Sequence, residues 1–225
     1  MTIDELIANF PELYHMAEES SWPNIQKHGL LSTSAILTLY GYSGTERDKI
    51  ESEWRSKKIA ISCNGLEDAC IRDQIPMPPD ALERCLVGGM TPKEWYRLIN
   101  GKIFFWTTRK SLEIFLAAKE YKNMPQLVIT VDTQLLLERY ADRVTLSSIN
   151  SGSTYYVPEK YGSPKPRGLR TFKGIHDYNL PYIAELIVEE GVKDITDVAL
   201  TVEKWIAHRI NYEKPKFEKL ADIWP

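Results

Sequence analysis

The sequence predicts one α+β domain: a sheet of short strands flanked by helices, with a helical insertion in its first half. Three observations predict it. The 225 residues suit a single hydrophobic core. Capped helix starts crowd the chain before Asn100, and after Gly101 short β-branched or aromatic runs alternate with helical patterns.

Thr2 and Glu5 form a capping box ahead of Leu6, Ile7 and Phe10, which share one helix face until Pro11 stops the run. Leu13, Tyr14, His15 and Met16 read as a short strand. Ser20-Ser21-Trp22-Pro23 offers an N-cap with proline in the first turn, and the helix through Ile25 ends near His28-Gly29, where glycine suits a left-handed residue. Residues 32–100 read as a helical insertion, with helices at 45–54 and 80–86 and a third running to Ile99 behind a Thr91/Glu94 capping box. Pro76, Pro78 and Pro79 stiffen its loop, and 59–62 is a strand. Beyond Gly101 the expected order is strand 103–107, helix 111–121, strand 127–132, helix 133–140 and strand 144–146. A polar, Gly- and Pro-rich region, 147–182, precedes an apolar strand at 183–188 and a last strand around Val198, Leu200 and Val202. The whole span, 1–225, is read as one domain.

With 43% hydrophobic and 26% charged residues and no apolar run near the ~18 residues of a membrane span, the chain is expected to be soluble, with no membrane partner. Its first residues lack a signal-peptide pattern. Cys63, Cys70 and Cys85 show no C-x-x-C spacing, so neither disulfides nor zinc are expected and a reducing cytoplasm is the expected location. Histidines 15, 28, 176 and 208 show no metal spacing, so no metal is expected. A net charge of -3 and a pI near 5.9 leave only local attraction to nucleic acid. No G-x-G-x-x-G, Walker A, G-x-S-x-G or H-E-x-x-H motif occurs, which removes sequence support for the corresponding oxidoreductases, NTPases, hydrolases and zincins.

Three separated segments resemble DarT-type ADP-ribosyltransferases. The first is Leu13-Tyr14-His15-Met16 followed by Ser21-Trp22-Pro23-Asn24-Ile25 and His28-Gly29-Leu30; the second is Phe104-Phe105-Trp106-Thr107-Thr108-Arg109; the third is Ala184-Glu185-Leu186-Ile187-Val188. They cover about a third of the chain, and 32–100 has no counterpart in the resemblance. A closer resemblance, to a group of uncharacterised bacterial proteins, lies in Ile71-Arg72-Asp73-Gln74, Phe105-Trp106, Val131-Asp132-Thr133 and Ile149-Asn150-Ser151-Gly152.

The resemblance implies an ADP-ribosyltransferase-like fold, a strongly bent mixed or antiparallel sheet split around a cleft, and NAD as co-substrate. Glu185 would be the catalytic carboxylate, because breaking the nicotinamide–ribose bond builds positive charge on the sugar that a carboxylate stabilises. His15 would hydrogen-bond the ribose, Arg109 would pair with the pyrophosphate, and Phe105 or Trp106 would stack on nicotinamide. Ser21 joins this NAD-binding set.

Each assignment has a plainer rival. Glu185 could be an edge-strand carboxylate facing water, His15 a satisfied core histidine, Arg109 a helix ion pair, and Asn150-Ser151 a polar turn rather than a substrate-positioning one. Phe104 is read as core. Region 147–182 interleaves cations with aromatics: Tyr155, Tyr156, Lys160, Tyr161, Lys165, Arg167, Arg170, Phe172 and Lys173. That mixture suits single-stranded RNA or DNA as acceptor, although a solvated loop reads equally well. The resemblance therefore implies ADP-ribosylation of a nucleobase by a toxin or anti-phage effector with an antitoxin partner. Protein ADP-ribosylation, NAD cleavage and a non-catalytic binding module of the same fold stay open as alternatives.

Overall fold

Eight strands build one sheet in which each neighbouring pair runs antiparallel, seen in a computed structural model that describes residues 1–154, 165–209 and 214–225. The strands are β1 (Glu12–Glu18), β5 (Lys102–Trp106), β6 (Gln126–Asp132), β7 (Val144–Ser147), β8 (Lys173–Gly174), β9 (Glu185–Glu189), β11 (Ala199–His208) and β12 (Lys216–Trp224). Their spatial order is β12-β11-β6-β1-β5-β9-β7-β8. Two short pairs stand apart: β2 (Leu30–Leu31) with β10 (Gly191–Val192), and β3 (Ile59–Ile61) with β4 (Ala69–Ile71).

The register locates the site. Strand β1 pairs with β6 along its whole length, from Glu12 opposite Asp132 to Glu18 opposite Gln126. It meets β5 only where Tyr14 faces Trp106. Strand β5 turns instead to β9, from Lys102 opposite Glu189 to Trp106 opposite Glu185. The sheet therefore parts between β1 and β5, with four strands on either side.

Helices cover both faces. Helix α1 (Ile3–Asn9) starts on the Thr2/Glu5 capping box expected from sequence and buries Leu6. It packs with α2 (Trp22–His28), α8 (Thr133–Tyr140) and α9 (Ile195–Val198) over a core of Leu13, Phe105, Ile129, Val131, Leu186 and Val188. Helix α7 (Arg109–Leu116) covers Met16 and Val128 on the opposite face. After α2, Gly29 adopts φ 90°, and a Cβ there would meet Lys193 Cα at 2.5 Å, so only glycine lets the chain pass β10 this closely.

The segment 32–100 is not purely helical. It holds α3 (Thr33–Leu39), α4 (Gly44–Ser52), the β3–β4 hairpin, α5 (Pro79–Glu83) and α6 (Pro92–Asn100). Two cores of its own support it, one around Leu37, Ile50, Ile61 and Ile71 and another around Met77, Leu82, Trp95 and Tyr96. Other boundaries move too. The helix expected at 111–121 begins at Arg109 behind a Thr108 cap and ends at Leu116. Strand β12 lies outside the sequence expectation, and β9 starts at Glu185 rather than 183. Ser21 precedes α2, yet its hydroxyl donates to Glu18 O at 2.7 Å instead of capping the helix. Among the described residues no helix is long and apolar enough to cross a membrane.

Candidate functional site

Glu185 opens β9, flanked by Trp106 of β5 on one side and Ser147 of β7 on the other. An edge-strand carboxylate facing water is thereby excluded, and the residue is only 3% exposed. Its carboxylate accepts the Ser151 backbone N–H at 3.1 and 3.2 Å and the Ser151 hydroxyl at 2.7 Å. Burial pushes its pKa up to about 7, with the Ser151 donors and the Arg167 charge pulling the other way. A carboxyl so placed changes charge near neutrality.

His15 sits where β1 leaves β5. Its Nδ1 lies 2.9 Å from Phe104 O, and since a carbonyl only accepts, Nδ1 carries the proton. Burial lowers the imidazole pKa to about 4, so the ring is neutral at pH 7 and Nε2 is left with a lone pair. His15 and Glu185 line one cleft of 610 Å³, a volume in the range of small-molecule sites. Ser21, Trp106, Asn150 and Ser151 line it as well, so six of the residues expected from sequence are brought together. Asn150 and Ser151 do form a turn, with Asn150 Oδ1 accepting Gly152 N–H at 3.1 Å, but one that holds Glu185.

Other expectations need correction. Arg109 does not line the cleft. Ser111, Ile114 and Phe115 do, at the i, i+3, i+4 spacing of one helix face, and Arg109, two residues before Ser111, falls on the far side. There its guanidinium covers the Trp205 ring at 4.3 Å and pairs with Glu113 at 3.4 Å. Phe105 is not a stacking platform either. Alternation along β5 turns Phe104 and Trp106 to the cleft and sends Phe105 into the core, while Phe104 also packs with Phe172 on the core around Trp95, in keeping with its core reading.

Arg167 is 4% exposed and bonds backbone carbonyls, so it is not free to contact an acceptor. Arg170 lines a different, larger cleft of 1260 Å³ with Lys165, Lys173 and Tyr178. Tyr155, Tyr156, Lys160 and Tyr161 lie outside the described residues.

The main cleft cation that sequence reasoning missed is Arg72, just beyond β4. Its Nη1 donates to Met16 O and Gln126 Oε1, both at 3.3 Å, its Nε lies 3.5 Å from Glu18, and its guanidinium covers the Tyr121 ring at 4.5 Å. Buried Arg55 holds the arm in place, donating to Arg72 O at 3.0 Å, Ile50 O at 2.6 Å and Asn100 Oδ1 at 2.9 Å. The signal was the Ile71-Arg72-Asp73-Gln74 stretch, which carried a resemblance but no assigned role. Among the described residues no group of three or more His, Cys, Asp or Glu is placed to hold a metal.

Residues 11–199 match the model of a family described as a family of unknown function (DUF7002). No curated protein matches the chain. The matched span runs from the residue before β1 to the first residue of β11 and so contains the cleft residues named above, while leaving out the rest of the β11–β12 hairpin.

Proposed function

The chain belongs to the DUF7002 family of unknown function, and we propose that its cleft binds NAD and transfers ADP-ribose from it, with Glu185 as the catalytic carboxylate. One observation carries the reading: a carboxylate and a neutral imidazole from two separate strands face one cleft where the sheet parts. These are the pair that the resemblance to DarT-type ADP-ribosyltransferases implies, on the kind of split sheet it implies.

The chemistry follows from the side chains. The bond from nicotinamide to ribose C1′ breaks, nicotinamide leaves as a neutral amide, and positive charge develops on the sugar. Ionised Glu185, held by the Ser151 donors, stabilises that charge. The nucleophile then bonds to C1′ and gives up its proton to water. His15 Nε2 accepts a hydrogen bond from a ribose hydroxyl. Trp106 or Phe104 offers a ring face to the cationic nicotinamide. Arg72 takes the role that the resemblance implied for Arg109, meeting the pyrophosphate.

The acceptor in this reading is a base of single-stranded RNA or DNA, as for a toxin or anti-phage effector restrained by an antitoxin. What supports it is the second cleft, lined by Lys165, Arg170, Lys173 and the exposed Tyr182 together with Ser148 and Ile149, on the chain just before the Ser151 turn.

The test is incubation of the purified protein with NAD labelled in its adenylate phosphate, together with single-stranded RNA, single-stranded DNA or protein. Label retained on one polymer identifies the acceptor. Nicotinamide release without transfer makes water the acceptor, and release no greater than that of a Glu185→Gln variant leaves a non-catalytic module. A companion comparison separates the two arginines. Arg72→Ala is expected to raise KM for NAD about tenfold or more by removing a charge-assisted contact. Arg109→Ala should change it less than about twofold, its half-exposed ion pair being worth about 1 kcal/mol at most. Equal KM effects, read from initial rates, would return Arg109 to the site.

A further inference from the structure

We infer that Arg167 is a positioning residue for Glu185, a strut whose guanidinium clamps the turn 150–153 so that Ser151 keeps its backbone donor on the carboxylate. The argument starts from one peptide plane. Arg167 Nη2 donates to Asn150 O at 3.1 Å. The carbonyl of Asn150 and the N–H of Ser151 belong to the same planar trans unit, in which C=O and N–H point in opposite directions. A guanidinium holding the oxygen end therefore aims the N–H end, and that N–H sits 3.1 and 3.2 Å from the two Glu185 oxygens. Arg167 and Glu185 lie at the two ends of a single peptide group, and the positive end polarises it toward the carboxylate.

The rest of the strut is anchored outside the turn. Arg167 Nη2 also reaches Ser153 O, and Nη1 donates to Lys165 O at 2.8 Å, so the fork spans three carbonyls. Its own backbone is held in the segment after α5: Arg167 N–H donates to Cys85 O at 2.8 Å, and Arg167 O accepts Val87 N–H at 2.9 Å. The next residue, Gly168, lies so close that a Cβ would meet Val87 Cγ2 at 3.1 Å. The far end of the turn is tied to the loop before α5, since Thr154 N–H and Oγ1 both donate to Pro76 O, at 2.8 and 3.1 Å. Segment 32–100 thus reaches the carboxylate through Arg167.

A simple staple would make the same contacts, so the test must read Glu185 itself. The inference needs the ADP-ribosyl-transfer reading only for its effect on rate; its geometric content stands without it. Arg167→Met and Arg167→Lys are each made with Glu185 and with Glu185→Gln, and the stability difference between partners is followed against pH. The pH at which that difference levels off reports the titration of the Glu185 carboxyl in the folded protein. Losing the clamp weakens a donor to the ionised form, so that pH should rise, by about one unit in Arg167→Met and about half a unit in Arg167→Lys, which keeps the charge but not the fork. An unmoved plateau overturns the inference, and the lysine variant decides it should the methionine variant fail to fold. In NAD turnover, Arg167→Met should lose about tenfold in kcat at pH 7, recover toward pH 9 and keep its KM. A wild-type protein without turnover defeats the enzymatic reading, while the stability measurements still decide the strut.

Discussion

Glu185→Gln is expected to lower NAD turnover by about three orders of magnitude while making the protein more stable above pH 7. The rate loss follows from removing the buried carboxylate that the proposed reaction sets against the ribose, where a single electrostatic partner is worth about a hundred- to a thousandfold. The stability gain follows from linkage. The folded pKa of about 7 lies above the ordinary 4.5, so between those values the folded state holds a proton that the unfolded chain has lost. Stability from this group therefore falls as pH rises through that window and levels off above about 7. Glutamine is neutral throughout and escapes the loss, a difference of about 3 kcal/mol above pH 8 and close to none below about pH 4. At roughly 2–4 °C per kcal/mol for a chain of this size, melting curves at about pH 4 and about pH 8.5 should separate the two proteins only at the higher pH. Stabilisation at both pH values, or at neither, would mean that Glu185 does not carry a buried charge near neutrality. The same titration predicts that wild-type turnover climbs through about pH 7 as the carboxyl ionises.

Much of the fold was legible because local chemistry dictates it. The capping boxes at Thr2 and Thr91 place the starts of α1 and α6, and Asp132, whose side chain accepts Leu135 N–H at 2.9 Å, starts α8 where the pattern expected it. Strand β12 was not legible. Lys216–Trp224 is the outer strand of a hairpin, largely exposed, and carries charges where an inner strand would show an apolar run. The site divides the same way. His15 and Glu185 were singled out by the resemblance, and local pattern added only the strands that carry them. Which of Phe104, Phe105 and Trp106 faces the cleft depends on parity, and three consecutive aromatics leave parity open until the pairing of Trp106 with Tyr14 and Glu185 is known. The arginines were harder. Nothing near Arg167 in sequence says that carbonyls at 150 and 153 will bury it, and Arg72 reaches the carbonyl of Met16 across 56 positions. The partners of these two cations are tertiary facts, whereas the pair of Arg109 with Glu113, four residues on, was open to local pattern.

Phe105→Ala carries the largest expected stability effect, and its outcome bears on the site from behind. The ring is fully buried, paired through its backbone with Leu186, and set edge-on against the His15 imidazole with centroids 5.8 Å apart. Truncation removes the ring's transfer energy and leaves a cavity that the strands, with β5 held to β9 from Lys102 to Trp106, cannot close, so about 4 kcal/mol should be lost. That corresponds to a melting temperature lower by roughly 8–16 °C. Phe105→Leu, which keeps most of the volume, should cost about 1.5 kcal/mol. The histidine supplies a second readout. Burial is the main cause of its depressed pKa, so a cavity that admits water beside the ring should move that pKa from about 4 toward its ordinary 6.5, visible in the imidazole proton shifts of an NMR titration. The hydrogen bond to Phe104 O is retained by the backbone, so the tautomer should persist below the point where the ring gains charge. A variant that melts like wild type yet binds NAD poorly would contradict this placement and put Phe105 in the cleft with Trp106. Loss of stability with a displaced histidine titration would instead show that the core behind β5 keeps the imidazole neutral, and that the lone pair facing the ribose depends on a side chain that never touches substrate.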